Sequence, residues 1–132
     1  MLAFADEAVK AIESAAPHVT KNKEEVELHY RSGIDSTKTF PDITRAVRAL
    51  PYEHLILDGE IVVLDEDGRS NFQRLQKRVH LTRQHQIEHA IVDHPGTLFV
   101  FDLLAFDDFD IRPLPLLKRK DILKKIMPPR GV

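Results

Sequence analysis

Leu55-Ile56-Leu57-Asp58-Gly59-Glu60-Ile61-Val62-Val63-Leu64 is an apolar run broken in its middle by two carboxylates around a glycine. Pro51 precedes it and Asp65-Glu66-Asp67-Gly68 follows, so it reads as a buried strand between turns. Charged side chains rarely sit inside such a strand unless they are paired or at work. Asp58 and Glu60 are two apart and leave the same face of a regular strand. Gly59 lets another backbone or a ligand come close on the opposite face. Two readings stay open at this level. Either the carboxylates build a polar ligand or metal site, or one is salt-bridged and the other lies at a bulge.

Outward from that strand, the chain has the size and balance of one soluble globular domain. It has 132 residues, 42% hydrophobic and 30% charged, with a net charge of -2. Cysteine is absent, which excludes a disulfide framework, a thiolate nucleophile and a zinc-cysteine site. No apolar run approaches the roughly 20 residues needed to cross a bilayer.

Charge is distributed unevenly. Residues 69–89 carry Arg69, Arg74, Lys77, Arg78 and Arg83 against Glu88 alone, and 112–130 carry seven bases against Asp121 alone. Between them, 90–111 holds Asp93, Asp102, Asp107, Asp108 and Asp110. The basic patches are either solvated helix faces or surfaces that track a phosphate backbone.

Pattern then assigns the remaining elements. Met1 to Ala5 reads as a short strand, and Asp6 to Ala16 as a helix ended by Pro17. Glu25 to Arg31 alternates as a half-buried strand, and Phe40-Pro41-Asp42 opens a helix through Leu50. A helix begins at Asn71-Phe72 and runs past Val79 towards Ile91. Thr97 to Phe106 is a second buried strand with one acid inside it. A basic helix spans about 115–126, stopped by Pro128-Pro129.

Five segments in order then resemble the ATP-dependent DNA ligases, with a flavour of the bacterial end-joining enzymes. Leu57-Asp58-Gly59-Glu60-Ile61-Val62, followed by Phe72-Gln73-Arg74-Leu75-Gln76-Lys77-Arg78, is similar to motif III and its helix. Phe99-Val100-Phe101-Asp102-Leu103-Leu104 resembles motif IIIa, and Leu114 to Lys120 the segment after it. Tyr30-Arg31-Ser32-Gly33 resembles a Ser-Arg-Asn-Gly motif with two changes, and Phe40-Pro41-Asp42-Ile43 a Phe-Pro-Glu-Ile helix start. The similarity covers about residues 26–126.

The resemblance implies an α+β fold, mostly antiparallel sheet portions with packed helices, from the nucleotidyltransferase (ATP-grasp-like) adenylation domain. It implies that Glu60 contacts the nucleotide ribose or assists a divalent metal, with Asp58 shaping that strand. Phe101 would stack on adenine, and Arg31 would face nucleic-acid or ATP phosphates. ATP and Mg²⁺ or Mn²⁺ are the implied cofactors, and nicked or broken double-stranded DNA the implied partner. Break sealing in DNA repair and recombination is the implied function, in a bacterial or archaeal cytoplasm.

The family's nucleophile is the lysine of Lys-x-Asp-Gly-x-Arg, and no lysine of this sequence is followed by Asp-Gly in that register. The motif is expected just before Met1. A metal-binding glutamate, two phosphate-binding lysines and an OB-fold are expected beyond Val132. Read this way, the chain is the central fragment of an adenylation domain over 1–132 and forms no AMP adduct alone. It is expected to self-associate or to pair with a complementing fragment through uncovered edges. Two alternatives belong to other classes. One is a non-catalytic nucleotide- or DNA-binding module of the same fold. The other is a zinc site at His85, Glu88 and His89, whose His-x-x-Glu-His spacing places both imidazoles on one helix face.

Overall fold

The computed structural model describes residues 2–4, 17–30 and 33–127. Ten elements follow in the order β1 (Leu2–Phe4), β2 (Pro17–Asn22), β3 (Glu25–Tyr30), α1 (Pro41–Arg48), β4 (His54–Val63), α2 (Phe72–Val79), α3 (Gln84–Asp93), β5 (Gly96–Phe106), β6 (Phe109–Asp110) and α4 (Leu116–Ile126). The strands join one six-stranded sheet of order β1-β5-β4-β2-β3, with β6 paired to β5. All pairings are antiparallel except β1 with β5. This is the α+β class with mostly antiparallel pairing that the sequence implies.

β4 and β5 form the centre of the sheet. Their apolar runs bury Leu55, Leu57 and Ile61 from one strand and Leu98, Val100 and Leu103 from the other. Helix α1 covers this face through Ile43 and Val47, both fully buried, and α4 contributes Leu123. Pro41 at the start of α1 has no N–H to leave unsatisfied. Lys21, itself buried, donates from Nζ to the carbonyls of Leu50 and Tyr52 just beyond the end of α1.

Three elements differ from the pattern reading, the shortest being β6, a two-residue strand at Phe109–Asp110 that the pattern did not assign. β2 is a strand that the pattern left unassigned. Its hairpin with β3 turns at Lys23-Glu24, with Lys23 at φ 57, and lacks the Asn-Gly or Asp-Gly pair that marks such turns. The single helix expected over 72–91 is two. It ends after Val79, where the amides of His80 and Leu81 both bond to the Arg78 carbonyl. α3 then buries Ile87 and Ala90 on its own axis. The helix expected over 6–16 lies outside the described residues.

Candidate nucleotide-facing site

The site is built on the central strand pair. Along β4, Leu55, Leu57, Gly59 and Ile61 are buried while His54, Ile56, Asp58 and Glu60 are half-buried. Asp58 and Glu60 therefore share the face turned from the core, as their spacing requires. Gly59 is the reason β5 can lie so close. A Cβ there would meet the Phe99 carbonyl at 2.7 Å and the Leu98 side chain at 2.9 Å. The close approach read from the sequence is that of a neighbouring backbone.

The two carboxylates have separate fates. Asp58 stands opposite His18 on β2, and its Oδ1 lies 2.7 Å from His18 Nδ1. Glu60 makes no side-chain hydrogen bond or ion pair to any described residue. Burial raises its pKa above the usual glutamate value. It lines a groove of about 770 Å³ whose walls include Ile34, Phe72, Leu75 and Val79. Asp58 is thus paired with His18, whereas Glu60 has no partner among the described residues.

Phe101 sits at an irregularity. Gly59 pairs with Val100 and Asp58 with Asp102, so Phe101 has no opposite number and is the extra residue of a β-bulge. A second such step leaves Leu104 unpaired between Leu103 and Ala105. Phe99 pairs directly with Glu60, and both Phe99 and Phe101 are half-buried. Phe101 and Asp58 do not line the Glu60 groove. Arg31 lies outside the described residues; Gly33, at φ +89, donates its amide to the Tyr30 carbonyl.

Beyond these, pattern reading missed two arginine clamps. Arg119 of α4 bonds Asp102 through Nε at 2.9 Å and Nη2 at 3.1 Å, and also reaches the Leu114 carbonyl. Arg78 bonds both oxygens of Asp42. The signals existed only in part: Asp102 inside the apolar 97–106 run, Asp42 in the first turn of a helix, and arginines four apart in Phe72 to Arg78. Composition alone could not say which arginines turn inward. Arg74 is also spent on structure, donating to the carbonyls of Leu64 and Asp93. The basic patches therefore contain fewer free charges than their sequence suggests.

The zinc pattern does not assemble. His85, Glu88 and His89 are exposed on α3, and Glu88 accepts from Gln84 and Arg45. Among the described residues, no three His, Asp or Glu side chains are grouped to hold a metal ion. For Glu60 the same fact means that the described residues offer one carboxylate, which suits a hydroxyl donor and is too few to cage a cation.

A family model described as the ATP dependent DNA ligase domain matches residues 17–131. The chain belongs to that family. A DNA ligase of Caldivirga maquilingensis is 34% identical over 105 residues, covering 79% of this chain and 17% of that one. A probable DNA ligase of Streptomyces coelicolor is 36% identical over 104 residues, covering 78% of this chain and 20% of that one. The chain thus spans about a fifth of the length of these ligases. The fold is similar to a mycobacterial DNA ligase D solved with ATP and MES, with a TM-score of 0.66 at 24% identity over 94% of this chain and 41% of that one. The ligase domain of Mycobacterium tuberculosis LigD aligns with a TM-score of 0.65.

Proposed function

We propose that this chain supplies the adenine- and ribose-facing wall of an ATP-dependent DNA ligase adenylation domain. The parent activity is the sealing of DNA breaks through a lysyl-AMP. The observation that carries the reading is Glu60: a desolvated carboxylate without a described protein partner, directly across the ladder from Phe99, which lies two residues before the bulged Phe101. A ribose hydroxyl donating to Glu60 satisfies it, and Phe101 offers a π-face for the base. Any Mg²⁺ or Mn²⁺ assisted by Glu60 takes its remaining ligands from elsewhere, such as the nucleotide phosphates.

Within 1–132 no lysine precedes Asp-Gly, so the chain by itself binds nucleotide without becoming adenylated. Arg31, in the altered Ser-Arg-Asn-Gly segment, is assigned to phosphate. The test is calorimetric titration with ATP and Mg²⁺, combined with intact mass. Binding lost in Phe101→Ala, with no added AMP mass, supports the reading. Unchanged affinity in both Phe101→Ala and Glu60→Gln removes it.

Self-association follows from the same reading. Ile34 and Phe72, both largely exposed, rim the Glu60 groove as apolar surface. Light scattering of concentrated protein should give a mass above 15.1 kDa. A strict monomer contradicts it.

A further inference from the structure

We infer that Arg119 is a positioning residue for Phe101: by clamping Asp102 it fixes the bulge that aims the aromatic ring. The inference deepens the nucleotide reading and rests on it. A bulge adds a residue without a ladder partner, so neighbouring contacts must set the direction of its side chain. Asp102 directly follows Phe101 and is the point where pairing with β4 resumes, opposite Asp58. Asp58 cannot restrain it, since both are acids and Asp58 is already held by His18. Arg119 provides the restraint. Its guanidinium meets both Asp102 oxygens, at 2.9 and 3.1 Å, in the planar two-pronged geometry that fixes a carboxylate's direction as well as its place.

The clamp is itself held. Arg119 Nη1 also donates to the Leu114 carbonyl, just before α4 begins, so helix, preceding turn and bulge are tied at one group. Asp102 and Arg119 side chains are only 14% and 17% exposed, so water competes weakly for the contact. α4 is anchored beside it by Leu123, which is fully buried. A lysine at 119 keeps the charge and loses the fork, which separates direction from simple neutralisation.

The experiment measures ATP affinity in the wild type, Phe101→Ala, Arg119→Ala, Arg119→Lys and the Phe101→Ala/Arg119→Ala pair. It also records the aromatic NMR signals of Phe101 in the free protein. Phe101→Ala should weaken ATP binding roughly 5- to 100-fold, the range of one base–aromatic stack. Arg119→Ala should weaken it at least about threefold, yet add nothing in the double variant, because it acts through the ring. Arg119→Lys should fall short of full rescue, and inorganic triphosphate should bind all forms alike. The Phe101 ring signals should broaden or shift in Arg119→Ala and remain unchanged in Val26→Ala, a destabilising core control on the edge strand β3, away from β5. Additive losses, or unchanged Phe101 signals in Arg119→Ala, overturn the inference. If Phe101→Ala binds ATP as wild type does, the nucleotide reading falls, and the ring signals alone then decide the clamp.

Discussion

Arg78 grips Asp42 with both terminal nitrogens of its guanidinium, at 3.0 and 2.8 Å, where Arg78 is fully buried. The same side chain donates to the carbonyls of Thr39 and His94 and lies 4.8 Å from the Phe40 ring centroid. Asp42 in turn accepts the amide of Gly96, the first residue of β5. One ion pair therefore ties the start of α1, the end of α2 and the entry to the strand that carries Phe101.

Removing one partner should cost more than removing both. Arg78→Ala leaves Asp42 buried without its counter-charge and should destabilise by about 3–5 kcal/mol. The Asp42→Asn/Arg78→Met pair should be clearly milder than Arg78→Ala. Urea denaturation midpoints of the three proteins check this.

Acid should act through the same pair. Burial opposes ionisation of Asp42, but the Arg78 and Gly96 hydrogen bonds and the Arg78 charge outweigh it, so its pKa lies below the usual value. The stabilisation is present above the ordinary aspartate pKa of about 3.9 and is lost as pH falls through the lowered native value. Stability should decline from about pH 4 downward in the wild type. The decline should be shallower in Asp42→Asn/Arg78→Met, measured by denaturation across pH.

Glu60 has the opposite sign. Burial raises its pKa, so its ionisation opposes folding, and the penalty is absent below the ordinary glutamate range. Glu60→Gln should raise the melting temperature at neutral pH. The difference from wild type should shrink as pH is lowered through and below the usual glutamate pKa. A Glu60→Gln protein that melts lower at pH 7 would contradict the reading of Glu60 as a carboxylate without a partner among the described residues.

Gly59→Ala tests the packing under the site. The added Cβ would strike the Phe99 carbonyl, which is backbone and cannot swing aside. A loss of about 1–3 kcal/mol is expected, read by thermal or urea unfolding. A neutral result would mean that β4 and β5 lie further apart.

The two central strands, the shared face of Asp58 and Glu60, and the family were legible because each rests on local pattern: the apolar runs around Asp58, Glu60 and Asp102, and ordered motifs. What was not legible is long-range. Nothing near Asp58 announces His18, forty residues away, and the Lys23-Glu24 turn that makes β2 possible carries no signature pair. Arg78 and Arg119 look in sequence like their solvated neighbours. Only packing shows that one is fully enclosed and the other turned onto Asp102. The bulge at Phe101 depends on register between two strands, which periodicity within either strand does not contain.

The proposed nucleotide-facing side of the sheet is the one that carries Glu60 and Phe101. An NMR titration of this chain with ATP and Mg²⁺ tests it most directly. Chemical-shift changes centred on Glu60, Phe99 and Phe101 are expected, abolished in Phe101→Ala, with no covalent AMP by intact mass. Changes that spare these residues and gather elsewhere, or an AMP adduct on any lysine, would contradict it.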